Sequence, residues 1–320
     1  MKRMDVIGIG ETMVSLTPDK YGLIRQTSSF EPRVAGTETN TLIGLSRLGH
    51  NTGFISRLGE DELGAMVLKE LRGENVDTKL IDLDPYHQTG LFLKEIINES
   101  DVHVYYYRQH SAASQMTREL LDESYISSAS YLFITGITPA ISESCKQTIF
   151  TAINMAKNNG VKIVFDPNIR KKLWSESEAR QTLIEILKLS DIILPGISEG
   201  QFLLDSNDPE EIGKKCVDLG AELVVVKLGE NGAYYCTSDH GDYVPSFPVK
   251  QVRDPVGAGD AFAAGLLSGL IDELSIEKAV ERACITGGYA TTYVGDYEGF
   301  PDKSRLERLT NLSTSEDVSR

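Results

Sequence analysis

Basic residues are scarce in this chain. Thirty-two Lys and Arg stand against 47 Asp and Glu, a formal net charge of −15 over 320 residues. That balance argues against nucleic acid or an anionic membrane surface as a partner, because both draw on clustered Lys and Arg. Any anionic ligand must be held locally, by a few placed cations and by backbone amides. Long hydrophobic runs are also missing: no apolar stretch approaches the ~20 residues that span a bilayer. The start, MKRMDVIGIGETM, passes directly into a strand-like run without the apolar stretch and small-residue cleavage site of a secretory signal. Cysteine is limited to Cys145, Cys216, Cys236 and Cys284, scattered with no metal-ligand spacing, so free thiols in a reducing cytoplasm are expected. The five histidines suggest no triad or metal cluster, and no Walker-type lysine motif occurs. Gly8-Ile9-Gly10 is too short to count as a dinucleotide fingerprint. What is present is an ordinary globular balance, 41% hydrophobic and 25% charged, in a length that suits one large domain or two smaller ones.

From Tyr131 onward, continuous β-branched runs alternate with amphipathic helices. YLFITG, VKIVFDPN, DIILPG and AELVVVKLG read as strands, and residues 142–159, 176–189, 209–219 and 275–293 as helices. Together with an N-terminal strand at Asp5–Gly10, this predicts an α/β fold, a doubly wound and mostly parallel sheet covered on both faces. Ligands of such sheets bind beyond the carboxyl ends of the strands, where DPN, LPG, KLG and DPVGAGD fall. Two stretches differ. Residues 11–34 pattern weakly and hold a proline-bearing edge strand, and residues 88–108 read as two strands joined by a turn at 98–101. The tail, 302–320, is polar and expected to be frayed or loosely helical.

The stretch Asp254-Pro255-Val256-Gly257-Ala258-Gly259-Asp260-Ala261-Phe262 concentrates the chemistry. It follows a strand-like run, 247–252, and opens the apolar segment AFAAGLLSGLI, which reads as a buried helix. Small residues at a helix N-terminus leave amide N–H groups facing one space, suited to phosphate or developing negative charge. Asp260 has two readings there. It could be an N-cap, or a carboxylate placed to take a proton from an attacking hydroxyl.

Other candidates also carry two readings. Asn168 and Arg170, just past a strand end, form either a plain turn with a solvated arginine or an anion clamp. Strand parity puts Tyr106 and Arg108 on one face, fit for a polyhydroxylated, acidic ligand or for packing. Lys227-Leu228-Gly229-Glu230-Asn231-Gly232 is either a hairpin turn or a close backbone approach to a nucleotide. Glu199 is a surface carboxylate by default and a water-mediated Mg2+ ligand in the alternative.

Taken together, DPVGAGDAFAAG and LSRLG…GFISRLGEDELG resemble the ribokinase-like (PfkB) family of sugar kinases, over roughly residues 4–301. The resemblance implies one kinase domain over 1–320, with residues 11–34 and 88–108 forming a small β lid over the sugar. It makes Asp260 the catalytic base and the amides of Gly257, Ala258 and Gly259 an anion hole. It sets Asn168, Arg170, Lys227, Gly229 and Gly232 against ATP, Glu199 near Mg2+, and Asp254 at a monovalent cation such as K+. Within the family, YYRQHSAAS, DPNIRKKLW and GDYEG resemble the branch that phosphorylates 2-dehydro-3-deoxy-D-gluconate at its 6-hydroxyl. That branch implies Gly36, Thr37, Glu38, Thr39, Asn40, Phe92, Tyr106, Arg108, Arg170, Asp260 and Asp296 around a sugar acid. Fructokinases share the YR and DPN patterns but typically continue as SAD, where Ser111-Ala112-Ala113 stands here.

The chain departs from the family at Ala35-Gly36-Thr37, where Gly-Gly-Ala is expected, and at Gly196 and Cys284, where Asn is common. Phe92 stands where Tyr is usual. A fructokinase is the alternative enzyme, and a sugar- or nucleotide-binding regulator without turnover the alternative class. The exposed lid edge also implies a homodimer formed by lid pairing.

Overall fold

The computed structural model describes residues 3–98 and 101–314, with side chains to residue 311. The first third runs β1 (Met4–Ile9), β2 (Met13–Pro18), β3 (Phe30–Ala35), α1 (Thr37–Arg47), β4 (Thr52–Gly59), α2 (Glu62–Gly73), β5 (Asp77–Asp84), β6 (Leu91–Asn98) and β7 (Asp101–Tyr107). The middle holds α3 (Glu123–Ile126), β8 (Ala129–Thr135), α4 (Thr138–Ile141), α5 (Glu143–Asn158), β9 (Lys162–Asp166), α6 (Glu176–Leu187), β10 (Ile192–Ile193), α7 (Ile197–Leu204) and α8 (Pro209–Asp218). The last third adds β11 (Leu223–Lys227), β12 (Ala233–Cys236), β13 (Gly241–Val244), α9 (Ala258–Ile271), α10 (Ile276–Ala290) and α11 (Lys303–Thr314).

Nine strands form one sheet in the order β13-β12-β11-β10-β9-β8-β1-β4-β5. Its pairs are parallel except for the antiparallel β11–β12 and β12–β13 hairpins at one end. The sheet divides the core in two. On one side Leu42, Ala263, Leu266, Leu267 and Ala283 of α1, α9 and α10 pack against it. On the other, Ile149, Ile153, Leu183, Ile186 and Ile212 of α5, α6 and α8 do so. Burial on both faces is why β8, β9 and β11 read as unbroken apolar runs.

The two segments of different character form a second sheet, β3-β2-β6-β7. Its β2–β3 and β6–β7 pairs are antiparallel and β2–β6 is parallel. Met13, Ala35 and Phe92 make a small core of its own. Pro32 lies on edge strand β3, where its missing N–H costs no ladder bond. The turn expected at 98–101 lies partly outside the described residues.

Two expectations change and one strand is new. The run 247–252 forms no strand: Pro248 has no amide to donate, and the segment lines a cavity instead. Strand β5 has no clear signal in sequence, because its KLIDLD core sits half-exposed at the sheet edge. The polar tail forms helix α11 as far as Thr314, docked through Leu306 and Leu309 onto Leu48 and Ile285. Its remainder, 315–320, lies outside the described residues.

Candidate active site

Helix α9 is apolar on every side, with ten of its fourteen residues buried, the pattern of a central core helix. Gly265 and Gly269 let α10 lie directly against it. A Cβ at either would come within 2.9 Å of the Ala283 Cα or 2.6 Å of the Ala279 Cα. Each Leu or Phe so buried stabilises the packing by about 1.5–3 kcal/mol, which fixes where the helix begins.

That beginning corrects one reading of Asp260. The N-cap is Gly257, at φ 76°, and Asp260 is the third residue of the first turn. The left-handed backbone favours glycine, and the space demands it: a Cβ on Gly257 would lie 1.8 Å from the Asp296 carbonyl oxygen. With the capping position filled, the Asp260 carboxylate turns sideways. Its Oδ2 accepts a hydrogen bond from Asn40 Nδ2 of α1 at 2.7 Å, and the group is 9% exposed. Burial pushes the carboxyl up to about 8, against the pull of the Asn40 N–H; Asp166 pushes it further and Lys227 opposes. First-turn amides of a helix have no intrahelical acceptor. Of the three expected at an anion hole, only Ala258 N–H turns back, to the Pro255 carbonyl at 3.3 Å.

Two cavities meet at this turn. One, about 400 Å³, lies between the carboxyl ends of the central strands and the small sheet. Gly36, Thr37, Glu38, Asn40, Phe92, Tyr106, Arg108, Arg170, Gly257, Asp260 and Asp296 line it, ten of the expected sugar-site residues with Gly257. Thr39 is buried and lines neither cavity. The other, about 530 Å³, is lined by Lys227, Gly229, Gly232, Val249, Val252, Ala258, Phe262, Cys284, Gly287 and Gly288. Pro255 and Gly259 belong to both. Asn168, expected at the nucleotide, lines the smaller cavity with Arg170. Asn168 holds a strained φ of 34°, with its N–H on Asp166 Oδ1 and its side-chain amide donating to Thr37 Oγ1 at 3.2 Å.

The smaller cavity is charged on both signs. Arg108 stacks over the Tyr106 ring, 5.7 Å from its centroid, as strand parity predicts. Its guanidinium is paired with Glu11, which also accepts from Ser111 Oγ at 2.6 Å. Arg170 is exposed and makes no ion pair among the described residues. Asp296 is gripped by Lys94 Nζ at 3.2 Å; burial raises its pKa and Lys94 opposes that. Glu38 is fully buried beneath the cavity, accepting from Thr135 and Thr138 hydroxyls at 2.7 and 2.9 Å. Burial raises its pKa, with the Thr135 bond opposing.

The larger cavity is a mainly apolar slot at its α10 end. The KLGENG segment is a β11–β12 hairpin turn, and it lines this slot. A Cβ on Gly259 or Gly229 would meet no protein atom within 4 Å, so both backbones face open space. Lys227 Nζ donates to buried Asp166 Oδ2 at 2.7 Å. Burial pulls the lysine pKa down, but Asp166 and Glu199 together hold it above the ordinary value. Cys284 sits in the slot as a neutral thiol, pushed up to about 12 by burial.

The expected metal residues line neither cavity. Glu199 accepts the Gly196 amide at 2.7 Å and the Ile169 amide at 3.2 Å, capping α7. Burial raises its pKa and Lys227 opposes. Asp254 accepts the Val256 amide at 3.0 Å and the Gly295 amide at 3.2 Å. No three acidic, His or Cys side chains cluster to hold a metal among the described residues. Such a donor set fits an Mg2+ carried on nucleotide phosphates with its waters rather than in a protein cage.

Sequence reasoning missed Glu11, Lys94 and Asp166. Glu11 and Asp166 end or follow buried strands, a position that marks site residues in parallel sheets. Lys94 shares the Phe92 face of β6 by strand parity, and only its partner, 202 residues on, gives it meaning.

Residues 3–303 match the pfkB family carbohydrate kinases. The chain is 37% identical over 306 residues to a 2-dehydro-3-deoxygluconokinase of Bacillus subtilis (strain 168), covering 95% of this chain and 94% of that one. It is 31% identical over 314 residues to fructokinase-1 of Zea mays, covering 95% and 97%. An E. coli protein described as a ribokinase II, solved in complex with ATP and Mg2+, superposes with a TM-score of 0.90 at 27% identity, covering 97% and 99%. No helix among the described residues is long and apolar enough to cross a membrane. With its nine-stranded sheet, small second sheet and glycine-capped α9 turn between two cavities, the chain belongs to the pfkB family of carbohydrate kinases.

Proposed function

We propose that this kinase transfers the γ-phosphoryl group of ATP to the 6-hydroxyl of 2-dehydro-3-deoxy-D-gluconate. The observation that carries it is the buried Asp260 carboxylate beside Gly259, where the two cavities meet. ATP lies in the larger cavity and the sugar acid in the smaller. As the sugar oxygen bonds to the γ-phosphorus, its proton passes to the Asp260 carboxylate and the bond to the β-phosphate oxygen breaks, releasing ADP. A positioned base contributes about 10²–10⁴ in rate. The Gly257 and Gly259 amides face the transferring group, and one such donor contributes about 2.7–4 kcal/mol. Mg2+ would be held by the nucleotide phosphates and, through its waters, by Glu199, and would supply further charge stabilisation. Asp254 is the group proposed for a potassium ion.

The small sheet acts as a lid that keeps water from the γ-phosphorus, within a chain working as one kinase domain. Its β7 edge, with Tyr105 and Tyr107 exposed, is proposed to pair with a second copy. The four buried free thiols fit action in the cytoplasm.

The similarity to the B. subtilis 2-dehydro-3-deoxygluconokinase supports the substrate, and Arg170 is the cation available to its carboxylate. One observation favours the fructokinase reading: Arg108 is already neutralised by Glu11, which leaves a single unpaired cation for an acid. Coupled measurement of ADP release across sugars and sugar acids separates the two. Turnover of the keto-deoxy acid well above fructose is expected; fructose alone being turned over would replace this substrate.

A further inference from the structure

The loop between α10 and α11 touches both the lid and the α9 turn, and has slack at neither contact. On the lid side two cations from different strands hold it. Lys94 of β6 pairs with Asp296 at 3.2 Å, with side-chain exposures of 11% and 8%. Arg33 of β3 donates to the Val294 carbonyl at 3.2 Å and pairs with Glu298 at 3.4 Å. The fit is tight around it: a Cβ on Gly295 would lie 2.6 Å from Arg33 Nη1. On the core side the Asp296 carbonyl abuts Gly257 so closely that no side chain fits between them. The Gly295 amide is also held by Asp254, three residues before Gly257.

We propose that Lys94 is a positioning residue, which ties the lid to Asp296 and through it sets the Gly257 turn facing the transferred phosphoryl group. The inference rests on the kinase reading of the two cavities. Lys94 lines neither cavity and touches no reacting atom. Its ammonium pairs with the Asp296 carboxylate and lies over the Phe92 ring, 5.8 Å from the centroid. A sugar that draws in β6 therefore moves Lys94, Asp296 and Gly257 together, because close-packed neighbours shift as a unit. Catalytic alignment of the turn then depends on a closed lid, and a small misplacement there is expensive in rate.

The test uses the full-length enzyme with Lys94→Gln, Lys94→Arg and, independently, Arg33→Gln. In Lys94→Gln, kcat is expected to fall roughly 10–100-fold, more than the sugar KM rises, with the ATP KM within about threefold of wild type. Lys94→Arg is expected to recover most of the loss. Hydrogen exchange followed by mass spectrometry should show faster exchange at 294–298 and at 255–259 in Lys94→Gln, with α5 unchanged. Arg33→Gln should do the same more weakly. Unchanged exchange at 255–259 in both Gln variants, or a loss confined to the sugar KM, overturns the proposal. Should wild type phosphorylate no sugar or sugar acid, the functional reading fails, and the exchange measurement still decides the role of Lys94.

Discussion

Asn40 Nδ2 lies 2.7 Å from Asp260 Oδ2, a bond between two helix N-terminal turns 220 residues apart in the chain. It joins α1, which opens beneath the smaller cavity, to α9, which opens between the two. The bond holds the carboxylate where a cap would otherwise have claimed it, and it opposes the rise in pKa that burial imposes.

As the proposed base, Asp260, raised to about 8, must lose its proton before it can accept another. The kcat/KM of the free enzyme is therefore expected to rise with pH and level off above about 8. Asn40→Ala removes the opposing N–H, so its acid limb should move to higher pH. A profile flat between pH 6 and 9 would remove Asp260 from the role of base.

The same carboxyl makes a stability prediction. Its pKa is about 8 folded and about 3.9 unfolded, so the native state binds the extra proton between those values. The stability this contributes is fully present below the unfolded pKa and is lost as pH rises through the folded one. Asp260→Asn has no such loss. Its melting temperature relative to wild type should climb from acid pH to about pH 8 and then hold steady, as thermal scans across pH can show.

Gly257 and Gly259 should respond oppositely to alanine. Gly257→Ala forces a Cβ into the Asp296 carbonyl at a positive φ and should destabilise the fold. Gly259→Ala meets no protein atom and adds a better helix former, so stability should hold or rise slightly while ATP-dependent turnover drops. Urea midpoints beside ATP kinetics for the two variants test the contrast.

The Lys227–Asp166 pair, a buried carboxylate under a half-buried ammonium, gives a prediction on the nucleotide side. Lys227→Met strands Asp166 without its cation, at a cost below the ~3–5 kcal/mol of a fully buried pair because Lys227 faces the cavity, measurable by urea unfolding. Adding Asp166→Asn should return part of that loss, because the uncompensated charge is then gone.

Much of this was legible in the residues. The central strands declared themselves through runs such as Val224-Val225-Val226, since burial on both faces leaves no room for alternation. The second sheet was legible as a change of pattern, and the parity of Tyr106 and Arg108 was right. What could not be read was pairing over distance. Arg108 read as one half of a face fit for an acidic ligand or for packing, and only the fold sets Glu11, 97 residues earlier, against it. Asp260 carried two readings, cap and base, and the first falls because Gly257, pressed against the Asp296 carbonyl, holds the capping position. The Phe247–Val252 run has strand composition, but Pro248 and a cavity wall overrode it. Leu306 and Leu309, three apart in a polar tail, are a short helical stripe that only their partners Leu48 and Ile285 make visible.

Arg170 is the cation we propose for the substrate carboxylate. Its loss should raise the KM for the keto-deoxy acid roughly 10–150-fold, the value of a charge-assisted hydrogen bond, and leave the ATP KM unchanged. Equal effects on a neutral sugar would mean the arginine serves phosphate transfer and not the acid group.

The most direct measurement is the ratio of kcat/KM for 2-dehydro-3-deoxy-D-gluconate to that for fructose, with ATP and Mg2+, in wild type and in Asp260→Asn. The ratio should be well above one in wild type, with the 6-phosphate as product. Turnover should fall about 10²–10⁴-fold in Asp260→Asn, with ATP and sugar binding retained. A ratio below one, or an Asp260→Asn enzyme as fast as wild type, would contradict the account.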